Sequence, residues 1–257
     1  MRIGTYNIFQ FKGYPEEEAG QALGPLDNPA RVEHFRRVFE KLDCDILALQ
    51  EGGAPTHMLH ELASSLGRHL ATIPSPGKWP GQVLSRYPIL ESRTFSHFTW
   101  DVPVPPLSRC AGAVRVQLCD AHRMWVFVLH LHPSDGEIRK VEADIVCQCV
   151  EQLLREEDEM VILGDFNCER DEPVHVRLAS LGFLNAMEAV GGGLRPTVDT
   201  AGKKIKRAID HIYVSPHLAD RLIAARVVDT LGFRHDEPRQ PGTWDHSDHL
   251  PVIVDLR

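Results

Sequence analysis

Short runs of continuously apolar residues constrain this chain more than any other feature: Ile46-Leu47-Ala48-Leu49, Val126-Phe127-Val128-Leu129, Met160-Val161-Ile162-Leu163 and Leu250-Pro251-Val252-Ile253-Val254. Each has the length of a strand and no polar alternation, so each reads as a buried strand. Each also meets chemistry-bearing residues where the backbone must turn: Gln50-Glu51, His130, Gly164-Asp165-Phe166-Asn167 and Ser247-Asp248-His249. Strand ends that give way to loops are where functional side chains concentrate.

Around these runs, strands and helices alternate in short units. Residues 2–8, 69–73, 82–85, 111–118, 124–131, 205–214, 223–228 and 251–256 read as strands. Asn28-Pro29 supplies a cap and a first-turn proline for a helix whose buried face is Val32, Phe35, Phe39 and Leu42. Leu59, Leu62, Ala63 and Leu66 mark a second helix, closed by Gly67. Ser134 with Glu137 reads as a capping box for a third, whose apolar stripe runs through Ile138, Val141, Ile145, Cys149 and Leu153 into a solvated acidic end at 156–159. Residues 74–81, 103–106 and 191–193 read as loops, and no internal repeat or low-complexity linker breaks the pattern. With 257 residues and 43% apolar content, the chain is expected to form one domain over 1–257.

No stretch approaches the roughly 18 apolar residues of a membrane helix, and the first residues enter a strand at once, so neither membrane segment nor targeting leader is expected. The cysteines (Cys44, Cys110, Cys119, Cys147, Cys149, Cys168) show no Cys-x-x-Cys spacing, which predicts reduced thiols and a cytoplasmic location. A net charge of -8 argues against general affinity for nucleic acid. The basic run Lys203-Lys204-Ile205-Lys206-Arg207 reads as a solvated hairpin flank.

Taken singly, Asn7 and Glu51 are turn or capping types at strand ends. His130 and His132 alternate, which places both imidazoles on one face of a strand. Asp165 and Asn167 stand two apart, with Gly164 allowing a tight backbone path before them. Asp210 falls inside the apolar run Ala208-Ile209-Asp210-His211-Ile212-Tyr213-Val214, where a buried carboxylate requires a partner and an imidazole is a natural one. Asp248 and His249 stand at the mouth of the last strand, and oxygen ligands of this kind suit a hard cation.

In chain order, Thr5-Tyr6-Asn7, Leu49-Gln50-Glu51, Leu129-His130-Leu131, Gly164-Asp165-Phe166-Asn167, Ile209-Asp210-His211-Ile212 and Ser247-Asp248-His249 closely resemble the motifs of the endonuclease/exonuclease/phosphatase superfamily, over nearly the whole chain. The resemblance implies an α/β (α+β) four-layer sandwich, with two mixed β-sheets packed face to face and flanked by helices. It implies hydrolysis of a phosphodiester by in-line water attack with Mg²⁺ or Mn²⁺, as in a phosphodiesterase or nuclease acting on a phosphoester such as nucleic acid or a nucleotide. No protein partner is inferred. Glu51 would be the central metal ligand, with Asn7 and Asp248 beside it. Asp165 would position or deprotonate the attacking water, and Asn167 would orient that nucleophile or hold the phosphate. His249, paired with Asp210, would contact a non-bridging oxygen or assist the leaving group. His130 and Arg109 would be further phosphate contacts.

The chain departs from the family pattern beside the site, at Gly52-Gly53 after Glu51 and at His211 after Asp210. His211 and Cys168 read as packing residues. Residues 10–29, with Phe11 and Tyr14, and 74–81, with Trp79, are candidates for the substrate-facing rim. Tyr6 and His130 disfavour the abasic-site endonucleases, leaving a phosphomonoesterase or a sphingomyelinase-like lipid phosphodiesterase as alternatives on the same fold. A non-catalytic binding module would lack one of Glu51, Asp165 or His249, and all are present. A zinc hydrolase built on His130, His132 and His249 lacks a His-x-x-x-His ligand pattern.

Overall fold

A computed structural model describes residues 1–96, 106–198, 206–235 and 240–257. The loop expected at 103–106, save Pro106, and residues 203–205 of the basic run lie outside the described residues. With elements numbered along the chain, the first sheet contains β1 (Arg2–Asn7), β2 (Ile46–Gln50), β3 (His69–Ile73), β4 (Gly81–Ser85), β11 (Leu222–Val227) and β12 (Val252–Leu256). The second contains β5 (Ile89–Thr94), β6 (Ala111–Cys119), β7 (His122–His130), β8 (Met160–Asp165), β9 (Leu184–Asn185) and β10 (Asp210–Val214). Their orders are β11-β12-β1-β2-β4-β3 and β5-β6-β7-β8-β10-β9. The helices are α1 (Glu16–Leu23), α2 (Pro29–Leu42), α3 (Thr56–Ser65), α4 (Gly136–Leu154), α5 (Pro173–Ser180) and α6 (Ala186–Val190).

Both sheets are mixed in the same way, although the sequence shows no repeat. Each has one parallel central pair, β1 with β2 and β7 with β8, flanked by antiparallel neighbours. Residues 46–49, 124–129 and 160–163 of the central strands are apolar because both their faces are covered. Along β7, Trp125, Phe127 and Leu129 pack with Ala143, Val146 and Val150 of α4. The alternate residues Val126 and Val128 join the cluster that holds Tyr6, Leu49 and Val83 of the first sheet. Phe35, Phe39, Met58 and Leu62 of α2 and α3 belong to that same cluster. The expected arrangement of two mixed sheets flanked by helices is therefore present.

Four local expectations need correction. The cap of α4 is Asp135, whose carboxylate accepts from the N–H groups of Glu137 and Ile138, and not Ser134. The buried face of α4 keeps the expected Leu153 but otherwise consists of Arg139, Glu142, Ala143, Val146 and Val150, set beside the expected stripe, and Val141 is 46% exposed. Apolar residues lie on several sides of this helix, so periodicity left its rotation open and tertiary contacts decided it. The acidic stretch after α4 is ion-paired: Arg93 with Glu156 at 2.6 Å, Arg115 with Glu157 at 3.4 Å and Arg221 with Glu159 at 3.0 Å. The strand expected from 205 is β10, beginning at Asp210, while β5, β9, α1, α5 and α6 were not foreseen. Among the described residues, no helix is long and apolar enough to cross a membrane, and the six cysteines are free.

Candidate active site

The parallel pairing of β1 with β2 and of β7 with β8 brings the C-terminal ends of each pair to one side of its sheet. Asn7 and Glu51 emerge from the first pair, His130 and Asp165 from the second. On the second sheet, His130 registers with Asp165 and Asp165 with Asp210, so an imidazole and two carboxylates form one row across three strands. The turn into β12 then carries His249 over this row.

Hydrogen bonds join the two halves. Asn7 Nδ2 donates to Asp165 Oδ2 at 3.0 Å and to Glu51 Oε1 at 3.4 Å. The backbone N–H of Asn167 donates to Asp165 Oδ1 at 2.8 Å. His249 Nδ1 lies 2.8 Å from Asp210 Oδ2, and its Nε2 is 3.8 Å from Asp165 Oδ2. His130 Nε2 is 3.5 Å from Asp165 Oδ2 and 3.8 Å from Glu51 Oε1. Arg109 reaches in from the turn just before β6, with Nη1 3.3 Å from Glu51 Oε1 and 2.5 Å from His130 Nε2, and its guanidinium lies 4.4 Å from the Trp79 ring.

The backbone is bent to allow this. Glu51 has φ +56° and Asn167 φ +54°, left-handed conformations that are costly for a residue with a side chain and that cluster at functional sites. Gly164 has φ +145°, and a Cβ there would lie 1.9 Å from the Leu129 carbonyl oxygen of β7. Gly52 explains its departure from the family pattern: a Cβ would fall 1.3 Å from Gln82 Oε1, whose amide donates Nε2–H to the Gly52 carbonyl at 2.9 Å. The side chain of Gln82 occupies the place that an apolar neighbour of Glu51 would fill.

Burial and neighbours separate the two histidines. Burial pushes His130 well down from its ordinary value, and Arg109 and His249 add to the effect, so this imidazole is neutral and can accept from Arg109. Burial would also lower His249, but Asp210 and Asp165 outweigh it and raise the imidazole to about 10, leaving it cationic. Burial, with the nearby Asp210 carboxylate, raises Asp165 to about 7, against the pull of His249 and Asn7. Asp248 bears on His249 through its charge.

Asn7, Glu51, Arg109, His130, Asp165, Asn167, Asp210 and His249 thus meet at one place. His132 does not join them. The strand ends at His130, and His132 Nδ1 instead accepts from the N–H of Asp135 at 3.0 Å. His211 points into a buried cluster with Asn185, His175 and Phe166, and Cys168 is buried with its sulfur 3.4 Å from His175 Nε2, so both are packing residues. Of the aromatics expected at the rim, Phe11 is instead buried in the core against Phe35, Tyr14 pairs its backbone with Asp245, and Trp79 covers Arg109. Thr197 was not foreseen: its buried hydroxyl accepts from the N–H groups of Ile209 and Asp210 and fixes the start of β10. Ser247 Oγ donates to the Asn7 carbonyl and accepts from the His249 N–H, locking the last loop to β1. Ser247 stands in the Ser-Asp-His motif, but its bond to Asn7, like the contacts of Thr197 with Ile209 and Asp210, joins residues distant in the chain and has no local sequence signal.

The donor set fits a hard divalent cation. Carboxylate oxygens converge there: among the described residues Asp210 Oδ1 is buried without a hydrogen-bond partner, and ligand atoms of Asp165, Asp210 and His249 lie within 4.8 Å of one another, while Asn7 Oδ1 turns aside to accept from the Phe9 N–H at 3.2 Å.

A family model described as the Endonuclease/Exonuclease/phosphatase family matches residues 4–231. No curated protein matches the chain in sequence. Among solved structures, an endonuclease/exonuclease/phosphatase family protein from Bacteroides thetaiotaomicron is similar with a TM-score of 0.73 at 21% identity, covering 100% of this chain and 97% of that one. A mannosyl-6-phosphatase from the same organism gives 0.74 at 19% identity, covering 100% and 99%. A 3′ phosphatase from Neisseria, bound to a product DNA hairpin, gives 0.68 at 20% identity, covering 100% and 99%. At these identities the likeness is one of fold.

Proposed function

The chain belongs to the endonuclease/exonuclease/phosphatase family, and from that premise we propose that it is a metal-dependent phosphodiesterase, with residues 1–257 acting as one catalytic domain. The observation that carries this reading is the row His130, Asp165 and Asp210 on adjacent strands, met by Glu51 and Asn7 from the other sheet. Glu51 would hold Mg²⁺ or Mn²⁺ with Asn7 and Asp248 beside it, and the ion would supply Lewis-acid polarisation of a phosphoryl oxygen.

The protein groups do the rest. Asp165, held at both oxygens by Asn7 and the Asn167 N–H, orients the attacking water and takes its proton. Asn167, its side-chain amide tied to the Leu131 carbonyl at 2.9 Å, borders the path of that water. Charge then builds on the equatorial phosphoryl oxygens and on the leaving oxygen. The cationic His249, anchored by Asp210, and Arg109, oriented by neutral His130, answer it with fixed N–H donors. The substrate is a phosphoester of nucleic-acid ends, nucleotides or another small molecule. The phosphatases among the structural neighbours make a monoester the second substrate to test. Free thiols support a reducing, cytoplasmic setting.

The test is release of p-nitrophenol from bis-p-nitrophenyl phosphate and from p-nitrophenyl phosphate, with Mg²⁺ or Mn²⁺ and with chelator. Metal-dependent cleavage of the diester is expected. Cleavage of the monoester alone would replace the diester reading, and cleavage of neither would remove the phosphoesterase reading.

A further inference from the structure

We propose, resting on the reading above, that Glu142 is a positioning residue for Arg109 and His130, clamping the backbone beside both from the buried face of α4. The Leu107 N–H donates to Glu142 Oε1 at 2.8 Å, and the His132 N–H donates to Glu142 Oε2 at 2.9 Å. Leu107 stands two residues before Arg109, and His132 two residues after His130. Arg109 Nη1 and His130 Nε2 then meet at 2.5 Å. One carboxylate therefore fixes the two peptide segments whose side chains must touch.

The cost of this arrangement argues that it serves a purpose. Glu142 is 0% exposed, and burial raises its pKa. A buried carboxylate is tolerated when its oxygens are matched by donors, and here each oxygen takes one backbone amide. Leu107 adopts φ +57°, strained for a leucine, at the point where its N–H turns to Glu142. Arg139, one turn earlier on the same face, donates Nη1 to the His132 carbonyl at 2.9 Å and pairs with Glu172. The peptide groups at His132 are thus gripped at N–H by Glu142 and at C=O by Arg139. This pair also fixes the rotation of α4, which is why Val141 faces outward. Glutamine cannot replace the carboxylate, because it offers one oxygen and would turn an N–H₂ toward a backbone N–H.

The test is a double-mutant cycle in the full chain, using Glu142→Gln, Arg109→Ala and both together, with bis-p-nitrophenyl phosphate and Mg²⁺. Glu142→Gln is expected to lower kcat/KM by about 10²-fold, the cost of a misplaced group, and by less than about twofold once Arg109 is already absent. An equal loss in both backgrounds would overturn the proposal, because a merely structural glutamate acts independently of Arg109. A second readout needs no turnover. The difference in emission between each protein and its Trp79→Phe counterpart reports the guanidinium 4.4 Å from that ring. Glu142→Gln should shift it in the direction that Arg109→Ala does, and an unchanged emission would also overturn the claim. If the parent protein cleaves no phosphoester, the functional reading fails, and the Trp79 emission still decides the role of Glu142. Where Glu142→Gln does not fold, Glu142→Asp carries both arms, keeping two oxygens on a shorter side chain.

Discussion

Glu51 and Asp210 owe their positions to residues that no motif contains. Glu51 stays in its left-handed conformation beside Gly52, whose missing Cβ leaves room for the Gln82 amide. Gly52→Ala would force that amide aside, and kcat/KM is expected to fall by about 10²-fold. Gln82→Ala in the same chain should recover most of the loss, and kinetics on the two variants checks it. Asp210 keeps His249 cationic in a buried place. Asp210→Asn should cost roughly 10² to 10⁴ in kcat, and adding it to His249→Ala should cost little more, because the pair acts as a unit. Additive losses would show that the two residues work separately.

At the scale of elements, α4 and β10 show where periodicity stops being informative. Asp135→Ala removes the cap of α4 and is expected to destabilise the protein by about 1 kcal/mol. Ser134→Ala should stay within about 0.5 kcal/mol, and urea unfolding of the two variants separates them; the reverse order would restore the capping box at Ser134. Thr197→Val strips one acceptor from two buried amides at the start of β10. It should cost about 1–3 kcal/mol and slow turnover through Asp210. The central strands were legible where burial on both faces leaves an unbroken apolar run, and β5, half-exposed and charged, was not. The rotation of α4 was not, because its buried face includes Arg139 and Glu142, which a polarity pattern assigns to solvent.

Across the whole molecule, buried imidazoles set the response to acid. Burial pushes His34 and His175 down to about 4, and His211 and His246 down to about 3. In an unfolded chain these groups take up protons near pH 6.5. Between there and about pH 4 the unfolded state binds more protons, so stability falls as pH falls. Raised Asp165 and Glu142 oppose this but are outnumbered, since burial lowers His130 and His132 as well, while His249 acts only above about 6.5. The urea midpoint should therefore drop steadily from pH 6.5 to 4, and a flat midpoint across that window would contradict it. The sequence by itself determined the central strands, their polar ends and the family motifs, since buried runs and strand-end residues are local patterns. Only the tertiary structure decided that the ends of two parallel pairs meet at one place, and that Gln82, Thr197 and Glu142 brace it. Those contacts join residues far apart in the chain, and packing alone brings them within hydrogen-bond reach.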